Sequence, residues 1–164
     1  MPPIQRAKTK ARDDRWAHTR TTFTEVVLEI FRVNGALLAA GAVLCEGTGL
    51  TSARWQVLGA LAMAAEPRTV AQIARAMGLT RQAVQRLVDE LEAEDVVRRV
   101  DHPESRRARP VEVTARGRSL FDEMVRRQRP WAARIGAGIP ETRLRTALDV
   151  LRLIRARLDA ESRS

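Results

Sequence analysis

Apolar residues recur at every third or fourth position along most of this chain, which is the period of an amphipathic helix. The first and longest such series runs from Trp16 to about Glu46 and is weakened only by isolated glycine and asparagine residues. A second series begins at the capping residues Thr51 or Ser52 and closes at Pro67. We therefore expect two helices in this part of the chain, the first of them long and broken at most once.

Two shorter helices, separated by a tight turn, are predicted next. Thr69, with Gln72 three residues later, fits a capping box that opens the first of them, and Gly78 supplies the left-handed residue that ends it. Leu79 is expected to point into the core, and Thr80 to cap the following helix. The free face of that helix is polar and consists of Gln82, Gln85, Arg86 and Asp89, with Arg81 at its border. This is a helix-turn-helix arrangement.

Two valine-rich segments, residues 96 to 101 and 110 to 114, alternate in polarity and predict short strands joined by a loop. The resulting hairpin is rich in arginine, with Arg106, Arg107 and Arg109 at its tip and Arg98 and Arg99 near its base. A hairpin directly after a helix-turn-helix predicts a winged-helix unit. The expected fold class is therefore mainly α with a small β-hairpin wing.

Two helices are predicted after the hairpin. Thr114 is expected to cap a helix from about Ala115 to about Gly136, and Pro140 to open the last helix. The last helix carries leucines at a near-heptad spacing, namely Leu144, Leu148, Leu151 and Leu158. This spacing favours packing against another helix, either in a second copy of the chain or in the first helix of the same chain.

The charge balance favours an anionic partner. Lysine and arginine number 29 against 20 acidic residues, which gives a net charge of +9 and a pI near 11.4. The major groove of duplex DNA admits an α-helix, in which glutamine can pair with adenine and arginine with guanine. We therefore expect Gln82, Gln85 and Arg86 to read bases, Thr80 and Arg81 to lie beside phosphate, and the hairpin arginines to meet the minor groove or the backbone.

Other classes of function have less support from the residues. The chain has two histidines, His18 in the first predicted helix and His102 in the loop of the hairpin, and it lacks a glycine-rich phosphate loop, a nucleophile elbow and clustered metal ligands. We therefore predict no enzyme activity, no catalytic residue, no cofactor and no metal site. A winged-helix module that binds protein, and one that binds DNA without sequence specificity, remain open alternatives.

The single cysteine, Cys45, excludes an internal disulfide and favours a cytoplasmic protein. We expect its thiol to be buried and inert rather than a redox sensor. The longest uninterrupted apolar run, from Gly35 to Cys45, is well short of the roughly 20 residues that a membrane span needs, so no membrane partner is expected. Residues 1 to 14 are basic without an apolar run behind them, which predicts a flexible arm and not a secretory signal.

Three segments, in this order and spacing, resemble the core of the multiple-antibiotic-resistance regulator (MarR) family: LTSARWQVLGAL, TVAQIARAMGLTRQAVQRLVDELEAEDVVRR and SRRARPVEVTARGR. The resemblance implies a bacterial transcriptional regulator, a repressor in most cases, that binds a near-palindromic operator as a homodimer. It also implies a division into the arm (1–14), an N-terminal dimerisation helix (15–48), a winged helix-turn-helix unit (50–118) and C-terminal dimerisation helices (119–164).

The resemblance further implies roles for single residues. Arg107 matches the wing arginine that enters the minor groove, although Ser105 stands where the family usually carries an aspartate and Val113 where it carries a leucine. Candidate phosphate contacts are Thr69, Gln72 and Arg75, and candidate dimer contacts are Phe31 and the four leucines of the last helix. A small phenolic or other anionic ligand is implied between the dimer and winged lobes, where binding lowers DNA affinity; its candidate contacts are Trp16, His18 and Trp55.

Overall fold

The computed structural model describes residues 3–101 and 109–161, with side chains described from Arg20 onward. It is mostly helical with one two-stranded antiparallel hairpin, which confirms the predicted winged-helix fold class. The elements in chain order are α1 (Pro3–Cys45), α2 (Ser52–Ala62), α3 (Val70–Met77), α4 (Arg81–Ala93), β1 (Val97–Arg99), β2 (Val111–Val113), α5 (Ala115–Gly136) and α6 (Glu141–Glu161). The wing tip, with the predicted contacts Arg106 and Arg107, lies outside the described residues.

The chain forms two compact units, Met1–Met124 and Val125–Ser164. The first contains α1, the winged helix and the start of α5, and the second contains the rest of α5 and all of α6. In the second unit, α6 buries no side chain over its described range, Glu141–Glu161.

Helix α1 is one continuous element of 43 residues, without the break that its glycines allowed. It begins at Pro3, so the segment that we expected to be a flexible arm, residues 1 to 14, is helical from that point. Two local properties favour this: proline is compatible with the first turn of a helix, and the residues after it are mostly helix formers such as alanine, arginine and lysine.

Much of the described surface of α1 is apolar. By length and composition, its segment Arg20–Cys45 would be able to cross a membrane, a test that signal sequences and core helices of soluble proteins also pass. The uninterrupted-run argument missed this property because isolated polar residues hardly lower the mean hydropathy of a stretch rich in alanine, valine and leucine.

Local capping produces the helix-turn-helix as predicted. Thr69 and Gln72 form a complete capping box at the start of α3, and Gly78 ends α3 with φ 66° and ψ 30°. The Thr80 side chain then accepts a hydrogen bond from the backbone N–H of Ala83 and opens α4. The expectation for Leu79 was wrong: its side chain is 43% exposed, and buried residues such as Ala74 and Val84 fill the core between the two helices.

The wing is attached to the helix-turn-helix by backbone pairing and by buried valines. Strand β1 pairs with β2 in the register Val97↔Val113, Arg98↔Glu112 and Arg99↔Val111. On its other side, Val111 exchanges two backbone hydrogen bonds with Arg68, which immediately precedes the α3 cap. Val97 and Val111 are both buried, and they join the core cluster that α2, α3 and α4 share.

Helix α5 approaches the wing closely at Gly117. A Cβ atom there would overlap the carbonyl oxygen of Val96 and would lie 2.8 Å from Cγ1 of Val113. The first turn of α5 is held at the same place, because the Thr114 hydroxyl accepts a hydrogen bond from the Gly117 N–H and donates to the carbonyl of Asp95. Glycine is therefore required for this contact.

We expect Gly117→Ala to lower the free energy of unfolding by about 3 kcal/mol, because the steric overlap outweighs the better helix propensity of alanine. Gly59→Ala is the matched control, because a Cβ added at Gly59 would lie 3.9 Å from the Phe121 ring, which is an ordinary van der Waals contact. The control should be neutral or slightly stabilising. Urea denaturation of both variants measures the difference, and equal stability of the two would contradict the packing described here.

Candidate nucleic-acid interface

Helix α4 turns one apolar face to the core and one polar face outward. Its buried residues are Val84, Leu87, Val88 and Leu91, and its exposed residues include Arg81, Gln82, Gln85, Arg86 and Asp89. The exposed set is the one that the helical period predicted. Because α4 is anchored along its whole buried face, these polar side chains project from a rigid element.

The polar face of α4 forms one wall of an open concavity of about 680 Å³. The start of α3 and the base of the wing form the other walls, and the lining residues include Thr69, Arg81, Gln82, Gln85, Arg86, Asp89, Arg99 and Arg109. Among the residues that the structure describes, four arginines thus share this surface with one carboxylate. We call these lining residues the basic groove.

The candidate phosphate contacts fall into two places. Thr69 lies in the basic groove, whereas Gln72 and Arg75 line a neighbouring concavity with Arg68. The capping box occupies the side-chain amide oxygen of Gln72, Oε1. This oxygen accepts hydrogen bonds from the Thr69 backbone N–H at 2.8 Å and from the Thr69 hydroxyl at 3.1 Å. The residues with side-chain donors that line this neighbouring concavity are Gln72, Arg68 and Arg75.

The described wing arginines are paired with carboxylates. Arg98 Nε donates to Glu112 Oε1 at 2.6 Å, and Arg109 Nε lies 3.3 Å from Asp101 Oδ1. Arg99 makes the most extensive set of contacts and is the least exposed of the three, at 21% of its side chain. Arg98 and Arg99, which the sequence suggested as backbone contacts, are therefore engaged within the protein.

Arg99 connects the wing to α4 through two acidic residues. Its Nη2 donates to Asp89 Oδ1 at 2.6 Å, its Nη1 forms an ion pair with Glu92, and its backbone N–H donates to Glu92 Oε1 at 3.2 Å. The Arg99 hydrogen bond holds the pKa of Asp89 below its ordinary value and outweighs the opposing effect of burial, and a hydrogen bond from Gln85 lowers this pKa further. Asp89 is therefore charged at neutral pH.

Sequence reasoning missed this network because its members come from two elements. Asp89 was placed on the polar face of α4 and Arg99 at the base of the wing, but the pairing needs the antiparallel register of β1 against β2. A weak signal was present: an acidic residue on a helix face that otherwise favours DNA requires a nearby cation.

The candidate ligand contacts are only partly described. Trp55 is half-buried and packs against the core, and it lies against α1, where a Cβ at Gly41 would be 3.8 Å from its ring. The side chains of Trp16 and His18 lie outside the described residues. Cys45 is buried, as expected, and no group of three metal-ligating side chains occurs within the part of the chain that the structure describes.

The candidate dimer contacts are all exposed within their own units. Phe31 on α1 is 68% exposed, and the four leucines of α6 are between 44% and 55% exposed: Leu144, Leu148, Leu151 and Leu158. Leucine and phenylalanine at this exposure leave apolar area in water, which a partner surface can cover.

Comparison with known proteins agrees with this geometry. Residues 48–108 match the family model described as MarR family. A MarR-family transcriptional regulator from Rhodococcus sp. RHA1 is 31% identical, with 80% of this chain and 92% of that chain covered and a TM-score of 0.71. CouR from Rhodococcus jostii RHA1, solved bound to p-coumaroyl-CoA, is 32% identical, with 79% and 91% covered and a TM-score of 0.72.

A relative of uncharacterized function from Mycobacterium tuberculosis is 30% identical over 136 residues, which cover 83% of this chain and 94% of the relative. The winged helix-turn-helix with its basic groove defines a DNA-binding transcriptional regulator. More specifically, the chain belongs to the MarR family. This is a family of transcriptional regulators and not of enzymes.

The lowered pKa of Asp89 predicts an acid-sensitive contribution to stability. A carboxyl whose folded-state pKa lies below its unfolded value stabilises the fold above the unfolded pKa, and this contribution is lost as the pH falls through the folded-state pKa. We expect the free energy of unfolding of the wild type to exceed that of Asp89→Asn by about 0.5 to 1 kcal/mol at neutral pH. The value is small because the Asp89 side chain is 54% exposed.

The difference should shrink as the pH falls below the ordinary value of 3.8. Chemical denaturation of both proteins across the acid range measures it. A difference that stays constant down to the lowest pH at which both proteins fold would contradict the assigned pairing.

Proposed function

We propose that this protein is a sequence-specific repressor that binds a near-palindromic operator as a homodimer and is released by a small-molecule ligand. The observation that carries the proposal is the basic groove, because it combines base-reading side chains on α4 with arginines of the wing on one surface. In B-DNA, a helix in the major groove places such side chains beside base edges while flanking cations meet phosphate.

Within the groove, roles follow from side-chain chemistry. Glutamine offers a donor and an acceptor in the pattern that adenine presents, and arginine offers two donors to guanine, so we assign Gln82, Gln85 and Arg86 to the bases. Arg81 and Thr80, at the start of α4, lie where a phosphate is favoured by the helix dipole. Arg107 is assigned to the minor groove by its match to the family wing.

Dimerisation is supported by the exposed apolar residues of α1 and α6. Phe31 and the four α6 leucines would be covered by the same helices of a second copy, and a two-fold axis would then place two α4 helices against two half-sites. The same covering would account for the apolar character of Arg20–Cys45 in a cytoplasmic protein.

Ligand control is supported by the relative CouR, which was solved bound to p-coumaroyl-CoA. That compound is anionic and contains a phenol, and we propose an effector of the same broad class here, with Trp55 as one wall of its site. A ligand that binds the DNA-free form more tightly lowers DNA affinity by that same factor.

Binding of the purified protein to a labelled fragment of its own promoter region, at two salt concentrations and against random competitor DNA, tests the proposal. We expect salt-sensitive binding with a sharp footprint of two related half-sites. Equal affinity for promoter and random DNA would indicate a general DNA-binding protein, and a salt-independent protein partner without DNA affinity would indicate an interaction module.

Variants of the wing and variants of α4 should lose DNA affinity in different ways. Arg107→Ala should weaken binding to all sequences and reduce the slope of log affinity against log salt by about 1, because it removes one phosphate-neutralising charge. Gln82→Ala or Arg86→Ala should instead relax the preference at particular base pairs by about 1 to 3 kcal/mol.

Arg145→Ala is the matched control, since Arg145 is exposed on α6 and pairs locally with Glu141. It should leave both the affinity and the salt slope unchanged. Helix variants that keep the full ratio of specific to nonspecific affinity would contradict base reading by α4.

A further inference from the structure

We propose that Asp89 and Arg99 are positioning residues that orient the Gln85 amide for reading one adenine, so that the wing strand and the base-reading side chain act as a unit. The inference rests on the proposed function, because it assumes that α4 enters the major groove. It assigns Arg99 to a role within the protein and Asp89 to specificity, although a carboxylate beside DNA is otherwise unfavourable.

The geometry is a chain of three side chains. Gln85 Nε2 donates to Asp89 Oδ1 at 2.8 Å, and the same oxygen accepts from Arg99 Nη2 at 2.6 Å. Glu92 holds the other end of the Arg99 guanidinium and also accepts the Arg99 backbone N–H. Arg99 is therefore fixed from two sides, and Asp89 is fixed by Arg99.

The carboxylate settles which way the Gln85 amide faces. A carboxylate only accepts hydrogen bonds, so the NH₂ group of Gln85 must face it and the carbonyl oxygen must face away. One N–H is used by Asp89, which leaves the second N–H and the carbonyl oxygen. These two groups form the donor and acceptor pair that matches N7 and N6 of adenine.

Preorganisation gives this arrangement a measurable effect. A free glutamine side chain has three rotatable bonds and loses conformational entropy when it docks on a base. Because Asp89 already holds the Gln85 side chain, Gln85 loses less conformational entropy when it binds the base. Holding one amide orientation also disfavours a base with a different pattern, such as guanine, which offers two acceptors in the major groove. The expected effect is therefore on discrimination between bases.

The Arg99 end links this side chain to the wing. Arg99 lies in β1 opposite Val111, and β2 begins two residues after Arg109 of the basic groove. A change in the angle of the wing would therefore move the cation that fixes Asp89. Base reading by α4 and the contacts of the wing with the neighbouring groove are coupled through this one residue.

The test is a double-mutant cycle on base preference. Affinities of wild type, Gln85→Ala, Asp89→Ala and the double variant are measured on the operator and on duplexes that change each base pair singly. We expect Gln85→Ala and Asp89→Ala to lose a preference of roughly tenfold at the same base pair. The double variant should lose no more than Gln85→Ala alone, because the two residues act through one contact.

Two further variants separate positioning from charge. Asp101→Ala removes an exposed wing carboxylate and is the matched control: like Asp89→Ala it should raise affinity for all DNA, but it should keep the base preference. Asp89→Glu keeps the charge and changes the reach of the side chain, so it should lose the preference without a gain in nonspecific affinity. Thermal unfolding verifies that each variant is folded.

The outcomes are distinct. Three results would overturn the positioning role while the proposed function stands. They are a base preference retained by Asp89→Ala, a base preference retained by Asp89→Glu, and additive losses in the double variant. A wild-type protein with no preference among duplexes would overturn the proposed function and this inference together. Coincident, non-additive losses of base preference, together with an Asp101→Ala protein that keeps its base preference, would establish the positioning role.

Discussion

Helix α4, the proposed recognition helix, is held in place by a layer of buried aliphatic side chains that it shares with the wing, and the rest of the proposed DNA-binding surface depends on this layer. Val84 and Val88 of α4 and Val96 and Val111 around the wing are all fully buried. Burying one such side chain contributes roughly 1.5 to 3 kcal/mol. Because the helix and the hairpin are buried against the same core, a change in the orientation of one affects the other, and their polar faces form one groove.

Charged residues fix the C-terminal half of α4. Arg54 of α2 is 7% exposed, donates to the carbonyl oxygen of Gly49 at 3.1 Å, and forms an ion pair with Glu94 immediately after α4. The Glu94 side chain is 44% exposed, and its removal would leave the buried Arg54 guanidinium without its carboxylate partner, which is destabilising because an uncompensated charge is costly away from water. In the second half of the helix, Arg99 pairs with Asp89 and Glu92, provides the second polar anchor and couples the wing to the polar face of α4.

Local chemistry made much of this architecture predictable from the sequence. The caps at Thr69, Gly78 and Thr80 depend on neighbouring residues alone, and the period of α4 identifies its outward face. The backbone pairing of Arg68 with Val111 and the acidic partners of Arg99 were missed, because each joins two different elements whose relative placement the local pattern does not fix. Leu79 was misplaced for the same reason: its exposure depends on which side chains already fill the core.

The central claim is that α4 and the wing present one preorganised surface to duplex DNA, and the structure of the protein bound to its operator tests it most directly. The account predicts α4 in the major groove with Gln82 and Gln85 at base edges, and Arg99 still paired with Asp89 and Glu92 as in the DNA-free protein. A complex in which α4 faces away from the DNA, or in which Arg99 leaves both carboxylates to bind phosphate, would contradict it.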